Sequence, residues 1–271
     1  MMIKKFLKIS QLQIEGLEDP IKNSKLIKKN LLKTITFKPD IISTPECSNI
    51  ITNDKKHLIE NTTFQNACPV LKECKEFAKK YNKVIHIGSL LLKNKYSNKL
   101  INRSFIIGGD GKIKKYYDKM HLFDVNINKK EIHRESESFI RGYKISTTTL
   151  FKIKIGLTIC YDLRFPNLFR LLTKNGAKII FVPAAFTIPT GKAHWEILLK
   201  ARAIENTVFI IATGQCGHHH YKRKTYGNSL VVNPWGKILN QAKSFPKILN
   251  TTINLSEVED TRSRMPSIYH Y

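Results

Sequence analysis

Residues 153–186 hold two short apolar runs separated by one amphipathic stretch, and this arrangement constrains the fold more than any other feature. Ile153, Ile155, Leu157 and Ile159 read as a strand. Pro166 stands where the first turn of a helix tolerates it, since its missing N–H would be unpaired there in any case. Leu168, Leu171 and Leu172 give that helix an apolar stripe, and Asn175-Gly176 ends it. A second apolar run, AKIIFVPAAF, follows at 177–186. Strand–helix–strand order belongs to α/β folds. Cys160 falls at the carboxyl end of the first strand, the edge at which open α/β sheets gather ligands. Free cysteines are also among the most buried residue types. Position alone therefore leaves Cys160 between core packing and nucleophilic chemistry.

The alternation continues along the chain. FLKISQLQI predicts a first strand, residues 20–36 a Lys-rich helix, and Ile41-Ile42 a strand that ends on Glu46. Residues 66–81 predict a second helix leading into the strand VIHIGSLLLK. INRSFIIGGDGKIKKYYDKMHLF reads as two strands around Gly109-Asp110-Gly111. AHWEILLKARAIEN is a helix and VFIIATG a strand. NSLVVNPWGKIL is a second hairpin turning at Asn233-Pro234-Trp235-Gly236, and ILNTTINL is the last strand. Two hairpins among alternating units imply mixed sheets. The sequence shows no internal repeat and no dividing linker, so residues 1–271 read as one domain.

Composition narrows the function classes. Hydrophobic residues at 42% fit a globular protein rather than a disordered chain. No apolar run approaches the ~18 residues that span a bilayer. The N-terminal MMIKKFLKISQLQI begins basic like a secretory signal, but Lys8, Ser10, Gln11 and Gln13 interrupt any apolar centre. It is read as the first strand of a cytoplasmic protein. Five scattered cysteines without a C-x-x-C pair argue against a disulfide framework and a structural zinc site. The net charge of +25 suggests anions or nucleic acid as partners. However, the lysines are dispersed and no nucleic-acid-binding motif accompanies them, so no specific nucleic-acid partner is expected. His218–His220 lack a carboxylate or Cys partner at ligand spacing.

Three groups stand at strand ends or turn starts: Glu46, Lys119 and Cys160. Glu46 is either a solvated terminus or a base projecting to the same edge as Cys160. Lys119 lies between aromatic residues, in YYDKMHLFD, where desolvation would demand a counter-charge. Periodicity does not bring the three together.

The motifs TPE at 44–46, YDKMHLFD at 117–124 and GLTICYDLRFP at 156–166 resemble the Glu, Lys and Cys motifs of the carbon–nitrogen hydrolase (nitrilase) superfamily, in that order. The resemblance extends through VPAAFTIPTGKAHWEILLKARAIEN, QCGHHH and YGNSLVVNPWG, over nearly the whole chain. It points to the branch of amidases acting on omega-amides of keto acids, which holds the deaminated glutathione amidases and omega-amidases. It implies a four-layer α-β-β-α sandwich, usually dimerised, with a small amide as substrate and no metal or organic cofactor. By the same resemblance, Glu46 is a general base and Cys160 the nucleophile that forms a thioester. Lys119 and the backbone N–H of Tyr161 stabilise the oxyanion, and the Lys119 charge keeps Glu46 ionised and favours the thiolate.

The resemblance also implies a second glutamate, Glu135, with Glu137 as its rival by spacing. Arg164 is either the partner of Asp162 in an ion pair or a bidentate grip on a substrate carboxylate. Phe186 and Thr190 match pocket residues, while His194 and Trp195 read as structural. The loop GHHHYKRK at 217–224 is unusually basic for such a site. A keto-acid amide suits these cations, and an N-carbamoyl compound is the alternative substrate.

Overall fold

The computed structural model describes residues 4–128, 131–220 and 223–270. Its two main sheets each have six strands. The first runs, in spatial order, Lys247–Asn254, Phe6–Gln13, Ile41–Ser43, Val84–Lys93, Leu100–Ile107 and Ile113–Asp118. The second runs Ile238–Gln241, Leu230–Val232, Phe209–Ala212, Ile179–Phe181, Ile153–Leu157 and Ser146–Leu150.

Alternation along each strand explains the layering. Ile41 packs toward the second sheet, whereas its neighbour Ile42 packs toward the helices Pro20–Thr34 and Pro69–Tyr81. Ile106 and its neighbours Phe105 and Ile107 divide in the same way. The helices Pro166–Lys174 and Glu196–Asn206 cover the outer face of the second sheet through Leu168, Phe169, Leu172, Leu199 and Ala203. The result is the expected α-β-β-α sandwich with mixed sheets.

The pairing pattern repeats where the sequence shows no repeat. From its Lys247–Asn254 edge, the first sheet pairs antiparallel, parallel, parallel, antiparallel, antiparallel. From its Ser146–Leu150 edge, the second sheet runs through the same series.

Helix limits follow local chemistry. The helix expected over 20–36 starts behind Asp19, whose carboxylate accepts the N–H groups of Ile21 and Lys22. It gives way to a 3₁₀ turn at Ile35–Phe37, closed by Lys38 with a left-handed φ of 52°. The helix expected from 66 begins at Pro69, with a separate 3₁₀ turn over Gln65–Ala67 before it.

Several polar side chains lie between the sheets, most of them hydrogen-bonded. Gln11 Nε2 donates to the Ala212 carbonyl at 2.7 Å. His86 lies against Phe181 with ring centroids 4.3 Å apart. Its Nδ1 is 2.9 Å from Ser43 Oγ and its Nε2 3.1 Å from Ser104 Oγ. Burial pushes its pKa down to about 3, so the ring is neutral. Among the described residues, no helix is long and apolar enough to cross a membrane.

Candidate functional site

Glu46, Lys119 and Cys160 follow the strands Ile41–Ser43, Ile113–Asp118 and Ile153–Leu157, and all three line one cavity of about 800 Å³. The approach of the strand ends depends on Gly88. A Cβ there would lie 2.2 Å from the Thr44 carbonyl oxygen, 2.5 Å from Pro183 Cβ and 2.5 Å from the Pro45 carbonyl oxygen. Pro183 in turn accepts the Cys160 N–H at 2.8 Å. Gly88 is thus the gap through which the Glu46 and Cys160 segments close on each other.

Cys160 has a left-handed φ of 50°, uncommon for a residue with a side chain. It opens a 3₁₀ turn, Cys160–Arg164, that stands between the strand and the helix beginning at Pro166. Tyr161 follows it, and its N–H is one of the first-turn donors that helical bonding leaves over. The Cys160 thiol faces the Glu46 carboxylate across the cavity floor, close enough for each to shift the other's ionisation.

Hydrogen bonds to Glu46 fix both of its oxygens. Lys119 Nζ is 2.9 Å and Asn102 Nδ2 3.0 Å from Oε1, while the Ala185 N–H donates to Oε2 at 2.9 Å. Gln215 Nε2 donates to the Glu46 carbonyl at 3.0 Å. Lys119 also donates to both oxygens of Glu135, at 3.0 and 2.9 Å. Glu135 is held by the Phe123 N–H at 2.6 Å. Its rival Glu137 is exposed and pairs with Lys55, so the geometry separates the two where spacing did not.

Charge states follow from this packing. Burial raises the Cys160 thiol pKa, and the Glu46 charge raises it further; Lys119 does favour the thiolate but is outweighed. The expected pull of Lys119 toward the thiolate is present, but burial and the Glu46 charge favour the protonated sulfur. Burial alone would raise Glu46 as well, but the Lys119 ammonium and the bonds from Cys160 and Lys119 hold it below the usual carboxylate value. Burial would lower Lys119, and the Glu135 and Glu46 carboxylates reverse that, lifting it well above its ordinary value. A neutral nucleophile faces an ionised base, and a fixed cation stands beside both.

Arg164 does not pair with Asp162. That carboxylate is fully buried and already accepts from Tyr117 Oη at 2.8 Å, the Ile159 N–H at 2.8 Å and His121 Nδ1 at 2.6 Å. Arg164 lies instead on the cavity wall, its guanidinium 5.7 Å from the ring centroids of Tyr161 and Phe186. Phe186 and Thr190 line the same cavity. Trp195 is structural as expected, buried with Nε1 donating to the Asn228 carbonyl at 2.8 Å. His194 is exposed and lies 3.3 Å from Arg164.

Within the basic loop, Tyr221 and Lys222 lie outside the described residues. Arg223 and Lys224 line the cavity. His219 is buried, its ring nitrogens 2.8 Å from the Gly16 carbonyl and 2.7 Å from Thr225 Oγ1. Among the described residues, no group of three or more His, Cys, Asp or Glu side chains is placed to hold a metal ion.

Asn102, Gln215 and Gly88 carried no motif signal as individual side chains. Asn102 reaches Glu46 only through the antiparallel register of Val84–Lys93 with Leu100–Ile107, which a local pattern does not encode.

Comparison with known proteins places the chain in a family. The carbon–nitrogen hydrolase family model matches residues 8–263. Deaminated glutathione amidase of Yersinia enterocolitica is 38% identical over 243 residues, covering 88% of this chain and 84% of its own. The crystal structure of the Caenorhabditis elegans NitFhit protein superposes with a TM-score of 0.93 at 34% identity, over 100% of this chain and 66% of that one. Nit3 of Saccharomyces cerevisiae, a member of branch 10 of the nitrilase superfamily, gives a TM-score of 0.87 at 25% identity, over 97% and 96%.

Proposed function

The chain belongs to the carbon–nitrogen hydrolase family, and we propose that it hydrolyses a carboxylate-bearing linear amide, an omega-amide of a keto acid such as deaminated glutathione, through a thioester on Cys160. The observation that carries this reading is the Glu46 carboxylate, 2.9 Å from the Lys119 ammonium and facing the Cys160 thiol in one cavity. The name carried by the Yersinia relative supports the substrate class.

In the proposed cycle Glu46 takes the thiol proton as sulfur attacks the amide carbon. Lys119 and the Tyr161 N–H stabilise the tetrahedral oxyanion. Glu46 then returns the proton to the nitrogen, the C–N bond breaks, and the amine or ammonia leaves. Water next gives a proton to Glu46 and its oxygen attacks the thioester. The C–S bond breaks, the acid is released, and the thiolate recovers its proton from Glu46. Glu135 orients Lys119, while Arg164, Phe186 and Thr190 receive the acyl part.

We further propose that residues 1–271 act as one catalytic domain in the cytoplasm and as a homodimer. The apolar side chains Leu171, Ile197, Ile204 and Trp235 are exposed on and beside the outer helices of the second sheet, a surface suited to a second copy. Sedimentation velocity of the protein and of Ile197→Asp tests the dimer; a wild-type monomer at micromolar concentration removes it.

The function itself is tested by amine and ammonia release over a panel of short amides with and without an alpha-keto group. Wild-type protein turns over the keto-acid amides, and folded Cys160→Ala and Glu46→Gln do not. Turnover at the wild-type rate in either variant overturns the assignment.

A further inference from the structure

We propose that Asp162 is a positioning residue: its carboxylate clamps the segment carrying Lys119 to the turn carrying Cys160, and so sets the spacing of the two oxyanion donors. The inference rests on the amidase reading above, in which Lys119 and the Tyr161 N–H are those donors. Asp162 Oδ2 accepts the Ile159 N–H at 2.8 Å and the Tyr117 hydroxyl at 2.8 Å. Its Oδ1 accepts the His121 N–H at 3.1 Å and lies 2.6 Å from His121 Nδ1. Ile159 and Asp162 flank Cys160 and Tyr161, while Tyr117 and His121 flank Lys119. One side chain therefore grips both segments, on either side of the groups they present to the cavity.

The clamp crosses from one sheet to the other. Tyr117 lies on the strand Ile113–Asp118 of the first sheet, and Ile159 follows the strand Ile153–Leu157 of the second. The backbone of Lys119 bonds to Asn102 and Gly142, at 2.9 and 2.7 Å, neither of them on the Cys160 turn. Burial and the Asp162 charge hold the Tyr117 phenol well above its ordinary pKa, so it stays a donor. The His121 ring also stacks on Phe165 at the far end of the turn, with centroids 3.6 Å apart and planes 10° from parallel. A fully buried carboxylate is costly unless donors surround it, and these four donors all come from the two segments it joins. The left-handed φ of 50° at Cys160 likewise persists only where its surroundings fix it, and Asp162 fixes the residue on its N-terminal side.

The test compares Asp162→Asn, Tyr117→Phe and the double variant with wild type, on the keto-acid amide that wild type turns over fastest. Asparagine keeps the size of the side chain but turns an NH₂ toward one pair of donors, so one segment is released. Misplacing a reacting group by about 1 Å costs on the order of 10²-fold in rate. Asp162→Asn should lose that factor in kcat, with KM within about threefold of wild type. Tyr117→Phe should lose about tenfold. The double variant should be little worse than Asp162→Asn alone, because both changes release the same tie. Alkylation of Cys160 by iodoacetamide needs no oxyanion donor and should stay within about threefold of wild type throughout. Parallel losses in melting temperature, kcat and alkylation would mean a merely structural role and overturn the inference. So would a wild-type kcat in Asp162→Asn, or losses that multiply in the double variant, and each leaves the amidase reading intact. If Asp162→Asn does not fold, Tyr117→Phe decides: a lower kcat at unchanged KM supports the clamp, and a wild-type kcat overturns it. Turnover of no keto-acid amide by wild type overturns the amidase reading and this inference with it.

Discussion

Lys119 Nζ lies 2.9 Å from Glu46 Oε1 and within 3.0 Å of both oxygens of Glu135, so one ammonium is shared between two carboxylates. Both carboxylates draw on its charge while the site is at rest. In the proposed cycle Glu46 loses its charge as it takes the thiol proton, and its hold on Lys119 weakens. The donor is released as negative charge forms on the substrate oxygen. Proton transfer and oxyanion stabilisation are thereby coupled through one hydrogen bond.

This coupling gives Glu135 a measurable role. Glu135→Gln keeps an acceptor for Lys119 but removes a charge, leaving Glu46 as the sole carboxylate on the ammonium. The Lys119–Glu46 bond then tightens and becomes harder to release. We expect kcat to fall by on the order of 10²-fold with a smaller change in KM. Steady-state kinetics on a keto-acid amide checks this, and a KM effect without a kcat effect would count against the orienting role.

Gly88→Ala tests the closure of the two strand ends. The added methyl would lie 2.2 Å from the Thr44 carbonyl oxygen, a contact with backbone that no rotamer change relieves. Overpacking of this kind costs about 1–3 kcal/mol. Because the displaced backbone carries Glu46, activity should fall further than the loss of stability implies. Thermal melts and turnover measured on the same preparation decide it; a variant active at the wild-type rate shows that the gap is not needed.

Two buried histidines predict how stability depends on pH. Burial holds His86 down to about 3 and His219 down to about 4. In the unfolded chain each takes a proton near its ordinary pKa of about 6.5. Below that value the unfolded state binds more protons than the folded one, so stability falls as pH falls from about 6.5 toward 4. The slope is at most about 1.4 kcal/mol per pH unit for each ring. Urea denaturation at several pH values measures it, and His86→Gln should flatten the slope by about one proton. A slope unchanged in that variant would mean His86 takes up a proton in the folded protein.

Much of this was legible in the sequence, for identifiable reasons. The strand before Cys160 and the helix after Pro166 are set by local periodicity and by proline's missing donor, and both formed where expected. The hairpin turning at Gly109–Gly111 formed too, with Gly111 at a φ of 75°. The meeting of Glu46, Lys119 and Cys160 came from the family resemblance, because no local pattern encodes a contact across 73 residues. The choice between the two readings of Arg164 was not legible for a related reason. Asp162 is its near neighbour in sequence, but the 3₁₀ turn directs that carboxylate inward to Tyr117 and His121, which belong to the other sheet's last strand and the loop after it. The matching strand series of the two sheets has no sequence counterpart, since topology constrains pairing direction and not residue identity.

The thiol itself distinguishes a base at Glu46 from a resting ion pair of Cys160 with Lys119. If the sulfur rested as a thiolate on Lys119, its ultraviolet absorbance would be present at neutral pH. The packing argues otherwise: burial first, and the Glu46 charge second, raise its pKa. Glu46→Gln removes the charge and the hydrogen bond, both of which favour the protonated sulfur, and leaves Lys119 opposed by Glu135 alone. The Cys160 pKa should therefore fall in the variant, while turnover drops by about 10³-fold or more as the proton acceptor is lost. Thiolate absorbance titrated against pH, with Cys160→Ser as the blank for the other four cysteines, reads the shift directly. A thiol pKa that rises or stays fixed in Glu46→Gln would place the carboxylate out of contact with the sulfur and remove it as the base.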